Sequence, residues 1–232
     1  MGHPRGHTRR PWLPDHPLWF FCQHSRNEPA LNPIEYAHSN YTASRRVRVL
    51  SEHFSRIIPT QASILDVGCG DGMLTARLAQ MRPDLEVRGT DVLVRPKAAI
   101  EVTPFDGVTL PEADQSFDTV LLVDVLHHAE DPAALLAEAA RVARHHLVIK
   151  DHRLKGLFAS QTLRFMDRIG NARFDVALPH HYWTEDQWRV AFQQRRLRIE
   201  SMTESVGLYP APLSWFFDRN LHFIARLGLD RS

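Results

Sequence analysis

The stretch "SILDVGCGDGM" (residues 63–73) places three glycines and two aspartates directly after a buried apolar run. Glycine permits positive φ angles and close backbone approach to a ligand, and in a doubly wound sheet the turn after the first strand lies nearest the ligand. A dinucleotide site would bring pyrophosphate to the helix N-terminus at such a turn. Asp66 and Asp71 would repel pyrophosphate. The sequence therefore predicts a ligand that carries an ammonium group or several hydroxyls.

S-adenosylmethionine has this chemistry, because it offers an α-amino group, a sulfonium charge, a ribose diol and an adenine ring without any phosphate. Asp91 follows the glycine stretch at about twenty residues, where an acidic side chain accepts hydrogen bonds from ribose hydroxyls in nucleotide-binding folds. A purely structural interpretation also exists. The glycines could form a tight left-handed turn, Asp71 could begin a helix, and Asp91 and Asp106 could lie in plain loops.

Five segments in order resemble the class I S-adenosylmethionine-dependent methyltransferases, in particular the small-molecule branch that includes the ubiquinone/menaquinone methyltransferase-like enzymes. They are "ILDVGCGDG", "VRGTDV", "FDGVTLP", "SFDTVLLVDVLHH" and "EAARVARHHLVIKD". The resemblance covers residues 42–151, and an ordered match of this kind is more specific than a single glycine motif. One departure is "ARHH", which stands where the family has a glycine-rich turn before the fifth strand and is expected to shorten that turn.

The resemblance implies roles for named residues. The glycines would line the methionine moiety, Asp66 or Asp71 would hold its amino group, Asp91 would bind the ribose and Asp106 the adenine amino group. The implied cofactor-binding set is Asp66, Gly68, Cys69, Gly70, Asp71, Gly72, Asp91, Val92, Phe105, Asp106, Gly107, Val123, Asp124 and His128.

Strands and helices alternate around these motifs. Apolar positions at helical spacing predict a helix over 42–58, and a second helix follows the glycine stretch. Strands are predicted at 85–91, within 117–128 and at 146–152, with a helix from Asp131 between the last two. This alternation predicts a doubly wound α/β fold with a mostly parallel sheet and helices on both faces. The resemblance implies seven strands, of which the last two form a C-terminal hairpin.

We expect one domain with appendages. Residues 1–41 form a lead-in or lid segment, and residues 42–232 form the methyltransferase domain, with a cofactor-binding half (42–151) and a substrate-side half (152–232). In the second half a mixed segment (153–183) precedes a helix whose Thr184 and Gln187 fit a capping box. The segments "LRIESMTE" and "LHFIARL" are the candidates for the hairpin strands.

Methyl transfer from a sulfonium requires alignment of the acceptor atom and, for a hydroxyl or a weakly acidic carbon, removal of a proton. His152 is the first candidate for the base, because it ends a strand beside the acidic Asp151. His128 is the second. Further candidates near the ends of the same strands are Asp124, His127, Asp151 and the stretch "HHYW" (180–183). Each histidine could instead have a structural role. Asp124 and Asp151 loosely resemble the magnesium ligands of catechol-type O-methyltransferases, but a histidine at 152 does not suit magnesium, and no structural zinc spacing is present. We expect no metal.

Apolar and aromatic segments outside the cofactor half favour a small apolar or aromatic acceptor, with oxygen preferred over carbon as the methylated atom. These segments are "PLWFFC", "LRFMDRIGN" and "LYPAPLSWFF". The alternative is that Trp19, Phe20, Trp215 and Phe216 only seal the edge of the core. The same surface could contact a membrane or a second subunit, so a homo-oligomer is left open.

Composition narrows the class of function. A formal net charge of +1 gives no concentrated basic face for nucleic acid. The segment "VDVLHH" also lacks the Pro-Pro-aromatic signature of amine-directed nucleic-acid methyltransferases. Two cysteines, Cys22 and Cys69, predict a reducing, cytoplasmic setting, because a disulfide at Cys69 would distort the turn. We expect no signal peptide and no stable membrane insertion.

Two competing functions stay open. A nicotinamide-dependent oxidoreductase would need a different glycine spacing and no acidic residues in the turn. A repurposed domain that binds S-adenosylmethionine but performs another reaction, or only binds a partner, is compatible with the same motifs.

Overall fold

The computed structural model describes residues 33–171, 181–218 and 220–231. Seven strands alternate with six helices in these residues. The strands are β1 (Ser63–Val67), β2 (Glu86–Asp91), β3 (Val102–Pro104), β4 (Phe117–Val123), β5 (Ala143–His152), β6 (Leu197–Thr203) and β7 (His222–Leu229). The helices are α1 (Pro33–Ile57), α2 (Met73–Met81), α3 (Pro132–Val142), α4 (Ala159–Asn171), α5 (Glu185–Gln194) and α6 (Ser214–Phe217), and a 3-10 turn covers Leu126–His128.

All seven strands form one sheet with the order β3-β2-β1-β4-β5-β7-β6. The first five strands pair in parallel, whereas β7 is antiparallel to both β5 and β6. The predicted doubly wound α/β fold with a C-terminal antiparallel hairpin is therefore confirmed. The strand order reverses between β1 and β4, and ligands of such sheets bind outside the carboxyl ends of the strands at this point.

Helices cover both faces of the sheet because the central strands bury side chains on each side. On one face, Leu65 and Val120 pack in a core cluster with α3 and α5. On the other face, Ile64 and Leu121 pack with α1 and α2. The sequence alternation within each strand assigns neighbouring residues to opposite faces.

Local sequence signals fix the helix starts. The Asp131 carboxylate accepts hydrogen bonds from the backbone N–H groups of Ala133 and Ala134, and Pro132 occupies the first turn. Thr184 and Gln187 form the predicted capping box at the start of α5. Both starts lie next to the carboxyl ends of β4 and β5, so they help to place the site.

Three local predictions differ from the structure. Helix α1 begins at Pro33, earlier than predicted. The segment 153–183, predicted as mixed, contains the helix α4. The residues "ARHH" do not form a shortened surface turn but belong to β5, where the pairing with β4 shifts in register between Phe117 and Thr119. The bulge lets the strand begin early without moving the buried residues that follow.

Some sequence-based predictions concern residues outside the described ranges. These are the lead-in segment before Pro33, with Trp19, Phe20 and Cys22, and the first residue of "HHYW", His180. In the described part of the chain, no helix is long and apolar enough to cross a membrane.

Candidate functional site

The glycine turn between β1 and α2 has the backbone that its sequence predicts. Gly68, Gly70 and Gly72 have φ angles of 71°, 61° and 70°, which are the left-handed values that glycine adopts without strain. A Cβ on Gly68 would lie 2.5 Å from Val125 Cγ2, and one on Gly72 would lie 2.6 Å from Ile100 Cγ1. A Cβ on Gly70 would meet nothing closer than the Arg95 guanidinium at 3.9 Å. Gly70 therefore presents its backbone to open space.

Asp91 at the end of β2 is joined to this turn. Its Oδ2 accepts a hydrogen bond of 2.7 Å from the Gly70 backbone N–H, and its Oδ1 accepts one of 2.9 Å from Leu93 N–H. The Gly68 N–H donates to the Thr90 carbonyl at 2.8 Å. The predicted ribose-binding carboxylate and the glycine turn therefore form one surface.

The structure separates the two aspartates of the turn. Asp66 is buried, and its Oδ2 accepts a hydrogen bond from the Thr75 hydroxyl, whereas its Oδ1 is buried without a hydrogen-bond partner among the described residues. Burial raises the pKa of Asp66 to about 7. Asp71 is exposed, and its Oδ1 accepts a hydrogen bond from Met73 N–H at the start of α2. Asp66 is the aspartate with an unused buried acceptor.

The remaining predicted cofactor residues surround the same edge of the sheet. Phe105 packs half-buried against the core, Gly107 has a φ of 85°, and Val92 is exposed. Asp106 Oδ1 accepts hydrogen bonds from the N–H groups of Val108 and Thr109, which closes its own loop.

Two predicted residues point away from solvent. Val123 is buried at the end of β4. Cys69 is a half-buried free thiol that packs against Gly89, because a Cβ on Gly89 would lie 2.5 Å from its Sγ. Burial and the nearby carboxylates raise the pKa of the Cys69 thiol.

These groups fit S-adenosylmethionine. The unpartnered Asp66 oxygen suits an ammonium group, since a buried acceptor needs a donor. The open space over Gly70 is a cradle that any side chain would fill.

A second group of residues lies next to the glycine turn, beyond the ends of β4 and β5. Asp124 has a φ of 55° and accepts hydrogen bonds from Lys150 Nζ at 2.5 Å and from the Arg46 guanidinium at 2.7 Å. Burial opposes the charge of this carboxylate, but Lys150 and Arg46 hold the pKa of Asp124 well below its usual range. The buried Lys150 Nζ also lies 3.3 Å from His222 Nδ1 on β7.

Asp151 is completely buried and joins two histidines. Its Oδ1 accepts hydrogen bonds from His127 Nδ1 at 2.6 Å and from the His152 backbone N–H at 2.7 Å. Burial would raise the pKa of Asp151, but the neighbouring His127 lowers it.

The histidines of this cluster differ in protonation. Burial disfavours the charged ring of His127, but the carboxylates of Asp151, Asp124 and Asp167 outweigh it and raise the pKa of His127. Burial and the adjacent His127 lower the pKa of His128 to about 4. Burial and the Lys150 charge lower the pKa of His152. Of the three rings, His127 therefore favours the protonated form most, while His128 and His152 favour the neutral form.

Three groups surround Nδ1 of His152. It lies 3.5 Å from Asp151 Oδ1, 3.6 Å from Asp124 Oδ1 and 3.4 Å from His127 Nδ1. The two carboxylates favour a proton on Nδ1, and Nε2 is the acceptor in that tautomer.

Asp124, His127, Asp151 and His152 hold donor atoms within 4.8 Å of one another, a spacing that could also hold a metal ion. The Lys150 ammonium already lies 2.5 Å from Asp124 Oδ1, and the His127–Asp151 pair is closed by a proton. In this structure the group forms an ion-paired network. The expectation of no metal stays a prediction.

The substrate-side half closes over this network. Tyr182 donates a hydrogen bond from its hydroxyl to Asp167 Oδ2, and that oxygen lies 3.5 Å from His127 Nε2. Trp188 Nε1 donates to the His152 carbonyl at 3.0 Å.

Apolar side chains are exposed beside this closure. Trp215 is 71% exposed, Phe158 69% and Phe165 51%, so Trp215 does not seal the core. Phe165 stacks on Phe217 with ring centroids 6.4 Å apart. Exposed aromatic side chains are therefore present in the substrate-side half of the described residues.

Sequence reasoning named His127 and the stretch that contains Tyr182 as candidates, but it missed four members of the network: Arg46, Lys150, Asp167 and His222. Of these four, Lys150 had a sequence signal, since a lysine within the buried run "HLVIKD" requires a buried partner. The others converge through tertiary structure.

Residues 65–148 match the sequence family described as "Methyltransferase domain". The ubiquinone biosynthesis O-methyltransferase of Hahella chejuensis is 36% identical over 93 residues, which cover 35% of this chain and 38% of that protein. The 27-O-demethylrifamycin SV methyltransferase of Amycolatopsis mediterranei is 31% identical over 110 residues, which cover 41% of this chain and 40% of that protein. The chain thus spans about two fifths of the length of these curated relatives.

Solved structures share the fold. A Haloferax volcanii methyltransferase in complex with the Trm112 activator superposes with a TM-score of 0.61 at 14% identity, over 87% of this chain and 99% of that chain. The 1,6-didemethyltoxoflavin-N1-methyltransferase of Burkholderia thailandensis, solved with its substrate and S-adenosylhomocysteine, superposes with a TM-score of 0.57 at 16% identity, over 88% and 92%.

Proposed function

We infer that this chain, which carries a class I S-adenosylmethionine-dependent methyltransferase domain, transfers a methyl group to a small apolar or aromatic acceptor, with oxygen preferred over carbon. The observation that carries this proposal is the position of Val125. This residue follows Asp124 and contacts the glycine turn at Gly68. The cofactor surface and the network of neutral histidine bases therefore share a border.

The cofactor would lie along the glycine turn. Asp66 Oδ1 would accept a hydrogen bond from the amino group of the methionine moiety, and Asp91 would accept hydrogen bonds from the ribose. Asp106, Phe105, Gly107 and Val92 would border the adenine ring. When bound, S-adenosylmethionine supplies an electrophilic methyl group and is converted to S-adenosylhomocysteine.

The acceptor would lie between the turn and the network. His152, neutral and with Nε2 unprotonated, would take the proton of an acceptor hydroxyl, while Asp151 and Asp124 orient its ring. His128, whose lowered pKa also leaves it neutral, is the second candidate. Alignment and proton removal are the two tasks that this displacement asks of the protein.

We propose a metal-independent reaction. A cation near Asp124 would face the Lys150 ammonium, whose charge repels it. The proposed acceptor is a small molecule and not a nucleic acid, and we place the reaction in the cytoplasm. Residues 1–41 and 152–232 would enclose the acceptor. A homo-oligomer is compatible with this proposal.

Thermal unfolding with S-adenosylmethionine, S-adenosylhomocysteine and NADH in parallel tests the proposal. A ligand at one hundred times its dissociation constant stabilises by about 2.7 kcal/mol, which raises the midpoint by roughly 5–10 °C for a chain of this size. We expect a shift with the two adenosyl compounds alone, unchanged by EDTA. A shift with NADH alone would support the nicotinamide alternative. Binding of the adenosyl compounds without methylation of any phenol, catechol or quinol would support a repurposed domain.

A further inference from the structure

Two residues of the substrate-side half reach the buried end of the network. Asp167 lies on α4 and Tyr182 in the segment before α5, and both are buried. The Tyr182 hydroxyl donates to Asp167 Oδ2, and the same oxygen lies 3.5 Å from His127 Nε2. His127 Nδ1 donates to Asp151 at 2.6 Å. The His127 ring is therefore held between two carboxylates, one from each half of the chain.

Asp167, Tyr182 and His127, together called the clamp, act on Asp151. This carboxylate has two neighbours on Oδ1, the His127 ring and the His152 backbone N–H, while its Oδ2 is buried without a hydrogen-bond partner among the described residues. The direction of the carboxylate is thus set by His127 together with the His152 backbone N–H. Because His152 Nδ1 lies 3.5 Å from the same Oδ1, a rotation of Asp151 would change which nitrogen of His152 carries the proton.

The substrate-side half is also tied to this end of β5 through the backbone. The His181 N–H donates to the His127 carbonyl at 3.1 Å, and the Leu154 N–H donates to the Trp183 carbonyl at 2.9 Å. Tyr182 stands between these two bonds, and it packs in a small core cluster with Ala159 and Leu163 of α4. Hydrogen bonds and packing therefore connect helix α4 and the 181–184 segment to His127.

We propose that Asp167 and Tyr182 are positioning residues, which clamp His127 against Asp151 and thereby fix His152 in the tautomer that accepts the acceptor's proton. The effect on catalysis rests on the proposed function, whereas the effect of Asp167 and Tyr182 on the histidine rings does not. The groups that face His127 are Asp124, Asp151 and Asp167, the rings of His128 and His152, and Tyr182. Burial opposes the cationic ring, and the carboxylates stabilise it.

The test is nitrogen-15 NMR of the histidine rings in the full chain with S-adenosylhomocysteine, at neutral pH. The wild type should show His127 protonated on both nitrogens and His152 protonated on Nδ1 alone. In Asp167→Asn, His127 should lose its second proton and His152 should populate both tautomers; Tyr182→Phe should show the same change to a smaller extent. Asp186→Asn, on the exposed face of α5, is the matched control and should leave both rings unchanged.

Catalysis gives the second readout, with catechol as the probe. We expect Asp167→Asn to lower kcat at least tenfold with KM within twofold, and Asp167→Glu to recover part of the loss. Histidine rings in Asp167→Asn that match the wild type would overturn the clamp. A changed protonation of the histidine rings in Asp167→Asn, combined with full turnover, would show that Asp167 is not a positioning residue. If His152→Ala keeps full activity while the histidine rings still respond to Asp167→Asn, the assigned base is wrong and the clamp stands. If the wild type does not methylate catechol, the ring spectra alone test the clamp.

Discussion

The Gly70 backbone N–H donates a hydrogen bond of 2.7 Å to Asp91 Oδ2, across 21 residues of sequence. This bond ties the tip of the glycine turn to the end of β2, so the residue proposed to bind the ribose also fixes the turn that would hold the methionine moiety. A single carboxylate therefore supports two parts of the proposed cofactor site.

Substitution of Asp91 should weaken cofactor binding with little effect on the fold. In Asp91→Ala the turn loses one hydrogen bond and the ribose loses its acceptor, so we expect at least a tenfold rise in the Kd for S-adenosylhomocysteine by calorimetry, since one hydrogen bond to a charged group contributes about 1.5–3 kcal/mol. Glu101→Ala, at an exposed carboxylate nearby, is the control. An unchanged Kd would remove the ribose assignment.

The glycines of the turn should differ in their tolerance of a side chain. Gly68→Ala and Gly70→Ala share the left-handed strain of about 1–2 kcal/mol, but only the first adds a clash with Val125. Urea unfolding should show Gly68→Ala to be less stable than Gly70→Ala by about 1–3 kcal/mol. Gly70→Ala should remain folded and lose cofactor affinity. Equal stabilities would mean that Val125 moves freely.

Loss of the proposed base should affect turnover and not cofactor binding. His152→Ala should reduce kcat with catechol by roughly a hundredfold, the usual size of a general-base contribution, while the Kd for S-adenosylhomocysteine stays within twofold. His145→Ala, at an exposed histidine of the same strand, is the control. A fully active His152→Ala would show that His152 is not the base and would leave His128 as the candidate.

The fold was predictable because its signals are local. Continuous apolar runs define β4 and β5, Asp131 marks a helix start, and the glycine turn follows a buried strand, so each element depends on its own residues. The carboxylate Asp91 was predictable for the same reason, since its distance from the turn is fixed by one strand-helix-strand unit.

Part of the network was predictable, because Asp124, His127, Asp151 and His152 lie at or just beyond the ends of two neighbouring strands. The other members approach only after folding. Asp167 lies in α4, which gave no clear start signal, and His222 reaches Lys150 only because β7 pairs with β5. The sequence ranked His152 before His128 from its place beside Asp151. It could not predict the direction of each histidine's pKa shift, since that depends on the carboxylates and charges that each ring faces.

The buried pair of Lys150 and Asp124 should be essential for stability. Lys150→Met leaves the mostly buried Asp124 carboxylate with the partly exposed Arg46 and, at 3.6 Å, with His152 Nδ1. We therefore expect a loss of about 3 kcal/mol in urea unfolding, as for other buried pairs that lose one partner. Arg144→Met breaks the more exposed pair with Asp118 and should cost less than about 1 kcal/mol. Similar losses in both variants would contradict the buried pairing.

The ionisation of Asp66 should control cofactor affinity. Burial raises the pKa of Asp66 to about 7 in the free protein, and an ammonium group binds the ionised carboxylate, so binding releases a proton below that pH. Affinity for S-adenosylhomocysteine should therefore rise about tenfold from about pH 6 to about pH 8, as expected for one group with this pKa. Calorimetry in buffers of different ionisation heat would measure both the affinity and the released proton.

Asp66 should also make the stability of the free protein depend on pH, but in the opposite direction, so that stability falls as the pH rises. Because the folded pKa lies above the unfolded one, the contribution of Asp66 is fully present below about pH 4 and is lost as the pH rises through about 7. Asp66→Asn should remove both effects, since asparagine does not titrate and its amide can still meet the Thr75 hydroxyl. Thr109→Ala, in the exposed loop of Asp106, should keep both. Retention of the pH dependence of affinity in Asp66→Asn would show that a different group binds the ammonium.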